Sequence, residues 1–187
     1  MNKIPRFFYS RDTVEVARDL LGKKLTRRIN NKLISGIITE TEAYKQIDDP
    51  ASHAHCGITK RNKAMFGKIG IAYIYIIYGI HYCINVVARN NEYGHLAGAV
   101  LIRSLQPVDG VDIMKKNRNV DIVSNLTNGP GKITQALQID IKQYGVDLTT
   151  SKHLYISNTK NNEYKLSCNQ RVGIKKGLDK LWNFKLS

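Results

Sequence analysis

The chain has 187 residues, with 29 Lys+Arg against 15 Asp+Glu and a formal charge of +14 at pH 7. That length fits one domain or two small ones, and 42% hydrophobic with 24% charged residues suffices to bury a core, which excludes wholesale disorder. A folded chain this basic is expected to meet a polyanion, nucleic acid before an anionic membrane surface, although a Lys-rich composition also accompanies AT-rich coding.

Three cysteines, Cys56, Cys83 and Cys168, are too few and too scattered for a disulfide framework and fit a reducing compartment. The opening MNKIPRFFYSRD lacks the apolar run of a secretory signal, so a chain without a signal peptide is expected. Residues 69–88, IGIAYIYIIYGIHYCINVVA, carry no formal charge and match a bilayer in length. Their Ile, Val and Tyr content, broken by Gly79, His81 and Asn85, reads instead as two buried strands with a turn near Tyr78-Gly79-Ile80, and no membrane partner is expected.

No repeat, low-complexity tract or linker interrupts the sequence, so one continuous domain over residues 1–187 is expected. A first helix is predicted over residues 12–21. Asp12 and Glu15 have capping-box spacing, Val14, Ala17 and Leu21 share a face, and Gly22 closes it. Residues 24–29 and 33–41 are β-branched runs around Asn30-Asn31, which tolerates the positive φ of a tight hairpin. Residues 44–62 are polar with little periodicity and read as an ordered loop. The apolar strand pair follows, then a turn at 90–94 and a strand at 97–105. Pro107 and Pro130 each suit the first residue of a helix, over 108–116 and 131–137. Short strands at 154–157, 164–167 and 171–174 complete an α+β chain: a curved, mainly antiparallel β-sheet with peripheral helices.

Reactive side chains are densest in Ile38-Thr39-Glu40-Thr41-Glu42-Ala43-Tyr44 and the following Asp48-Asp49-Pro50-Ala51-Ser52-His53-Ala54-His55. Spacing of two on a strand puts Glu40 and Glu42 on one face, where a carboxylate at a strand mouth can act as general base. Taken alone, such a pair is more often solvated at a sheet edge; the aromatic and histidine neighbours in a basic chain shift the balance towards catalysis. His53, His55 and Cys56 are zinc-ligand types, but no C-x-x-C partner follows and Cys168 is a weak fourth ligand, so no metal is expected. His81 and Cys83 read as core residues of a buried strand. The Gly129-Pro130-Gly131-Lys132 turn opens a helix whose N–H groups could meet a phosphate, with a plain helix start equally expected. Tyr73 and Tyr75 share a strand face, ordinarily core, while Tyr78 has the other parity at the turn and could wedge into a duplex.

These residues together resemble the alkyladenine (methylpurine, 3-methyladenine) DNA glycosylase family. The resemblance is carried by AxxLLGKKL at residues 17–25, ETEAY at 40–44, DPASHA at 49–54, TxRNxxMF at 59–66, YIYIIYGIHYCINVV at 73–87, VLIRSLQP at 100–107, GPGK at 129–132 and RVGI at 171–174. It implies removal of a damaged purine (3-methyladenine, 7-methylguanine, hypoxanthine or ethenoadenine) by hydrolysis of its N-glycosidic bond, the base being flipped out of the duplex. Glu42 matches the base that activates water, Arg103 the residue that helps hold Glu42 and that water, and Val172 a backbone carbonyl facing the same water. Tyr44, His53 and Tyr75 match the aromatic walls around the flipped base, and Tyr78 the intercalating residue. Asn85 matches the residue that would clash with a guanine 2-amino group, and Thr59, Arg61, Met65 and Lys132 match DNA-binding positions. A cationic alkylpurine stacked on electron-rich rings gains ~2 kcal/mol when desolvated, and a nearby carboxylate stabilises the oxocarbenium-like sugar. The implied reaction is monofunctional and needs no cofactor. Its partner is double-stranded DNA containing damaged purines, and a cytoplasmic, nucleoid-associated monomer is expected. The loop from His53 to Thr59 is one residue shorter than in vertebrate relatives, Ile80, His81 and Tyr82 depart from the pattern beside the wedge, and residues 181–184 match only loosely.

Overall fold

The computed structural model describes residues 2–90, 96–159 and 164–186. Along the chain these form α1 Thr13–Asp19, β1 Lys24–Ile29, β2 Lys32–Lys45, β3 Ala72–Ile77, β4 His81–Val87, β5 Gly98–Asp109, α2 Val111–Arg118, α3 Pro130–Ala136, β6 Leu154–Ser157, β7 Leu166–Asn169 and β8 Asn183–Leu186. The strands make one sheet in the order β3-β4-β5-β2-β1-β6, with β8 pairing both β2 and β7. Every pairing among these strands is antiparallel, and the curled sheet with helices around it is the expected α+β architecture. No helix among the described residues is long and apolar enough to cross a membrane.

Local chemistry sets most element ends. The Asp12 side chain accepts a hydrogen bond from the Val14 N–H (2.8 Å) and caps α1, and Gly22 leaves the helix region at φ +76°. Asn30 and Asn31 turn the β1–β2 hairpin with φ of +46° and +64°. Pro130 is the first residue of α3, as its fixed φ favours.

Four expectations are corrected. Tyr44 belongs to β2, which runs on to Lys45. Pro107 does not start a helix: β5 continues through it to Asp109, because Pro107 lies opposite Gly36 at a register shift, where a missing N–H disturbs little of the ladder. The helix waits for Gly110 at φ +71°, where a Cβ would come within 2.6 Å of the Leu33 carbonyl oxygen. Residues 171–174 form a turn instead of a strand; the last strand is β8, and the strand expected at 164–167 lies at Leu166–Asn169. The turn expected at 90–94 falls, apart from Asn90, outside the described residues.

One face of the sheet makes the core. Ile74, Ile84, Val86, Val100 and Ile102 are at most 1% exposed and pack in one cluster with Val16 and Ala17 of α1. Each aliphatic side chain so buried contributes about 1.5–3 kcal/mol. Two hydroxyls tie α1 to this face: Thr41 donates to the Ala17 carbonyl (2.7 Å) and Thr13 to the Ala88 carbonyl (2.9 Å). The approach is so close that a Cβ on Gly98 would lie 2.4 Å from both Ala88 O and Thr13 Oγ1. With the core on this side, the opposite face is left for a site.

Candidate active site

A lateral row of paired residues crosses five strands. Tyr73 lies opposite Asn85, Asn85 opposite Leu101, Leu101 opposite Glu42, and Glu42 opposite Asn183. Beside it, Tyr75 pairs with Cys83 and Tyr44 with Ala99. Cross-strand partners project to the same side of a sheet. Here Tyr73, Tyr75, Asn85, Leu101 and Tyr44 open into a cavity of about 370 Å³, of the size that holds small organic groups.

Glu42 sits behind the cavity wall with its side chain wholly buried. Its Oε1 accepts the Val172 backbone N–H at 2.7 Å and the Asn183 amide at 3.1 Å, while Oε2 accepts the Tyr44 hydroxyl at 2.8 Å. Arg103 Nε is 3.4 Å from Oε1 and its Nη1 is 3.5 Å from Oε2. Every one of these groups is a donor, matching an acceptor-only carboxylate. Glu40 shares the arrangement, accepting from Arg103 Nε at 3.1 Å and from Asn183 at 2.8 Å. Spacing of two therefore did put both carboxylates on one face, but this stretch of β2 lies inside the sheet between β5 and β8, so neither is a solvated edge residue.

Two bulges bring Arg103 there. Ile38 faces Leu105, Glu40 faces Ser104 and Thr41 faces Ile102, leaving Thr39 and Arg103 out of register. Such insertions bend a strand and re-aim a side chain, a common device beside active sites.

The aromatic wall is a connected unit. His53 meets Tyr75 edge-on with ring centroids 4.7 Å apart, and its Nδ1 lies 2.9 Å from the Tyr73 hydroxyl. The loop bearing His53 is fixed from within: the Asn62 amide donates to the carbonyls of Gly57 (2.9 Å) and His53. Burial pushes the hydroxyl pKa values of Tyr44, Tyr73 and Tyr75 well above the ordinary tyrosine range, so all three are neutral rings. His53 is exposed as a residue, yet its ring packs against two tyrosines; lost hydration, then the Arg61 charge, lowers its pKa from the ordinary 6.5. The unfolded chain therefore binds this proton more readily, and the group withdraws stability as pH falls from 6.5 towards its folded value. His53 is expected to titrate below 6.5 in ¹H–¹⁵N spectra; Arg61→Ala should raise the midpoint while leaving it below 6.5, since desolvation is the larger cause.

The other positions named from sequence are spread out. Tyr78 is 86% exposed at the tip of the β3–β4 hairpin, with Ile80 at 72% beside it. Asn85 is buried on the cavity wall and donates to the Tyr73 carbonyl at 3.0 Å. Met65 is only 1% exposed and lines the cavity, which places it in the pocket and not on an outer surface. Thr59 is exposed and closes a turn with Asn62. Arg61 donates to the Ile76 carbonyl at 3.0 Å and lies 5.1 Å over the Tyr75 ring, bracing the strand that leads to Tyr78. Lys132 is held by Asn128 at 2.7 Å, near Pro130 at the cavity rim. His81 is exposed, against the expectation of a core residue, whereas Cys83 is buried on the cavity wall as expected for its strand. Among the described residues no group of three or more His, Cys, Asp or Glu side chains is placed to hold a metal ion.

Residue-by-residue reading missed Asn183, which bridges both carboxylates, and the roles of Asp49 and Arg171, whose buried ion pair joins the His53 loop to the turn carrying Val172. Asn183 had no signal in the sequence, since the tail matched only loosely. Asp49 and Arg171 stood inside the matching motifs, but only the folded chain shows that they meet.

The family model described as "Methylpurine-DNA glycosylase (MPG)" matches residues 7–187. A protein of Carboxydothermus hydrogenoformans named "Putative 3-methyladenine DNA glycosylase" is 49% identical over 186 residues, 98% of this chain and 94% of its own. Proteins of the same name from Clostridium acetobutylicum and Desulfitobacterium hafniense are 40% and 41% identical, covering 97% and 100% of this chain and 93% and 96% of theirs. With the family model spanning nearly the whole chain, and relatives this similar at full length, the chain belongs to the methylpurine-DNA glycosylase family and is a DNA N-glycosylase.

Proposed function

We propose that the protein excises 3-methyladenine and related damaged purines (7-methylguanine, hypoxanthine, ethenoadenine) from duplex DNA, as a monofunctional glycosylase of base excision repair that leaves an abasic site. The observation that carries this reading is the buried Glu42, fixed by donors directly behind an aromatic-walled cavity. The damaged nucleotide leaves the stack and its base enters between Tyr44 on one side and the His53–Tyr75 pair on the other. Glu42 takes a proton from a water held also by Arg103 and the Val172 carbonyl. The water oxygen bonds to the sugar carbon as the glycosidic bond breaks, and the carboxylate offsets the positive charge that builds on the sugar. A cationic alkylpurine departs as a neutral base with the bond electrons, so no strong acid is required. Asn85 disfavours guanine through its 2-amino group, a cost offset for 7-methylguanine because its cationic base leaves readily. Tyr78 fills the vacated place in the stack, Thr59, Arg61 and Lys132 work at the DNA surface, and Met65 shapes the pocket. The enzyme acts as a monomer in the cytoplasm, at the nucleoid, without metal or cofactor.

The surplus of basic residues draws the protein to any DNA and carries no lesion information. The test is a release assay on duplexes bearing each lesion. Free base with an intact, alkali-labile strand, unaffected by chelator, is the expected product. Duplex binding without release would establish a non-catalytic binding domain, and loss of release in chelator would establish a zinc hydrolase.

A further inference from the structure

We infer that the buried Arg171–Asp49 ion pair is the positioning element of the active site, clasping together the segments that supply its walls and its carboxylate; this rests on Glu42 being the general base. Arg171 donates through Nη1 and Nη2 to the two oxygens of Asp49 at 2.7 and 2.6 Å, and both side chains are wholly buried. Nη1 also donates to the Ala43 carbonyl at 2.9 Å. The guanidinium carbon lies 4.7 Å from the Tyr44 ring centroid and 5.2 Å from that of Trp182. A Cβ at Gly177 would come within 3.0 Å of Nη2, so this turn approaches the guanidinium closely.

Each partner belongs to a different part of the site. Ala43 stands between Glu42 and Tyr44 on β2. Asp49 begins the loop that carries His53, and its carboxylate also accepts the N–H groups of Lys45 (3.0 Å) and Ala51 (3.3 Å). Arg171 precedes Val172, whose N–H reaches Glu42 at 2.7 Å, and the next four residues line the cavity. Residues 170–182 form no strand or helix, so no ladder of backbone bonds fixes that wall. The fork of Arg171 does.

Stability alone is a poor reason for such a pair. Two buried charges lose about as much hydration as they gain in attraction, and apolar replacements are often as stable. What a bidentate guanidinium adds is geometry: a planar fork fixes distance and angle together, which a lysine cannot do. Arg171 does not line the cavity, so it acts through Val172 on Glu42 and through Asp49 on His53.

The experiment compares Arg171→Lys, Asp49→Asn and the charge-free double variant Arg171→Met with Asp49→Asn. Asp49 accepts the Lys45 and Ala51 amides on different oxygens, so Asn keeps an acceptor for only one of them, while the double variant leaves no unpaired buried charge. Single-turnover release is expected to fall by about 100-fold in the double variant, the loss that follows a misplacement of about 1 Å. Affinity for a duplex carrying a non-cleavable abasic analogue should hold, and Arg171→Lys should recover only part of the rate. The Val172 amide resonance should move in the double variant as it does in Glu42→Gln. Native-rate release by the double variant, loss of rate in step with loss of DNA affinity, or unfolding of all three variants would each overturn the proposal. If instead Glu42→Gln itself releases base normally, the reading of Glu42 fails, and this inference with it; an inactive Glu42→Gln beside a fast double variant removes this inference alone.

Discussion

Replacing Glu42 by Gln is expected to abolish base release while duplex binding survives. Four donors converge on the Glu42 carboxylate: the Val172 N–H, the Asn183 amide, the Tyr44 hydroxyl and the Arg103 guanidinium. Gln has the same shape but brings an NH₂ into a nest built for acceptors, so one of those contacts becomes donor against donor. It also cannot take a proton from water, and it offers no charge to the oxocarbenium-like sugar. General-base catalysis contributes roughly 10²–10⁴-fold, and loss of charge stabilisation adds to that, so a fall of at least about 10³-fold is expected. Single-turnover release from a hypoxanthine duplex measures it, with a gel shift on the same duplex as control. The residual rate should be higher on 7-methylguanine, whose cationic base already leaves readily. Release at the native rate by Glu42→Gln would remove Glu42 from the mechanism.

Elements governed by local chemistry were legible in the sequence. The Asn30-Asn31 hairpin, the Asp12 cap and the Pro130 helix start each depend on a few adjacent residues, and the structure has all three. Parity predicted that Glu40 and Glu42 share a face, and that Tyr73 and Tyr75 do. What parity could not show is the paired slips between β2 and β5, because a bulge depends on both strands at once; hence the contact of Arg103 with both carboxylates was invisible to it. Pro107 was misread because a proline at a register shift and a proline at a helix start look alike until the partner strand is known. The turn at 171–174 was misread as a strand for a related reason. Val172 and Ile174 alternate like strand residues, yet the segment is held by a side-chain fork reaching Asp49, 122 positions away, which no local pattern records. The site is thus a lateral row across β3, β4, β5, β2 and β8, assembled from residues that are scattered in sequence.

Tyr78→Ala is expected to weaken lesion release by about 10- to 100-fold, through base flipping and without loss of fold. Tyr78 holds φ at +54° and is followed by Gly79 at +73°, so the hairpin turns through the left-handed region with a bulky aromatic in it. That conformation costs roughly 1–2 kcal/mol for a residue with a Cβ. The ring recovers nothing from the protein, since the residue is 86% exposed. A tight hairpin requires the left-handed region here, but Asn or Gly would supply it with less strain, so stability does not explain an exposed aromatic ring at the tip, and such strain gathers at working sites. Stacked into the gap left by the flipped nucleotide, the ring regains the 1–3 kcal/mol typical of base–aromatic contact, which sets the expected loss at about 10- to 100-fold. Arg61 braces the strand leading to this tip through the Ile76 carbonyl, so the ring proposed as the wedge stands on a fixed support. The fluorescence of ethenoadenine on leaving the stack reports the flipping step directly, and Tyr78→Ala should lower the flipped population and the release rate together. A further variant, Tyr78→Gly, should be at least as stable as the native protein to urea, because glycine relieves the strain, yet equally poor at flipping. For comparison, Lys60→Ala removes an exposed charge next to Arg61 and should only reduce the salt dependence of binding by about one counterion. Equal losses from Tyr78→Ala and Lys60→Ala would mean that the ring contributes no more than any surface contact, and the wedge would have to be sought elsewhere on the hairpin.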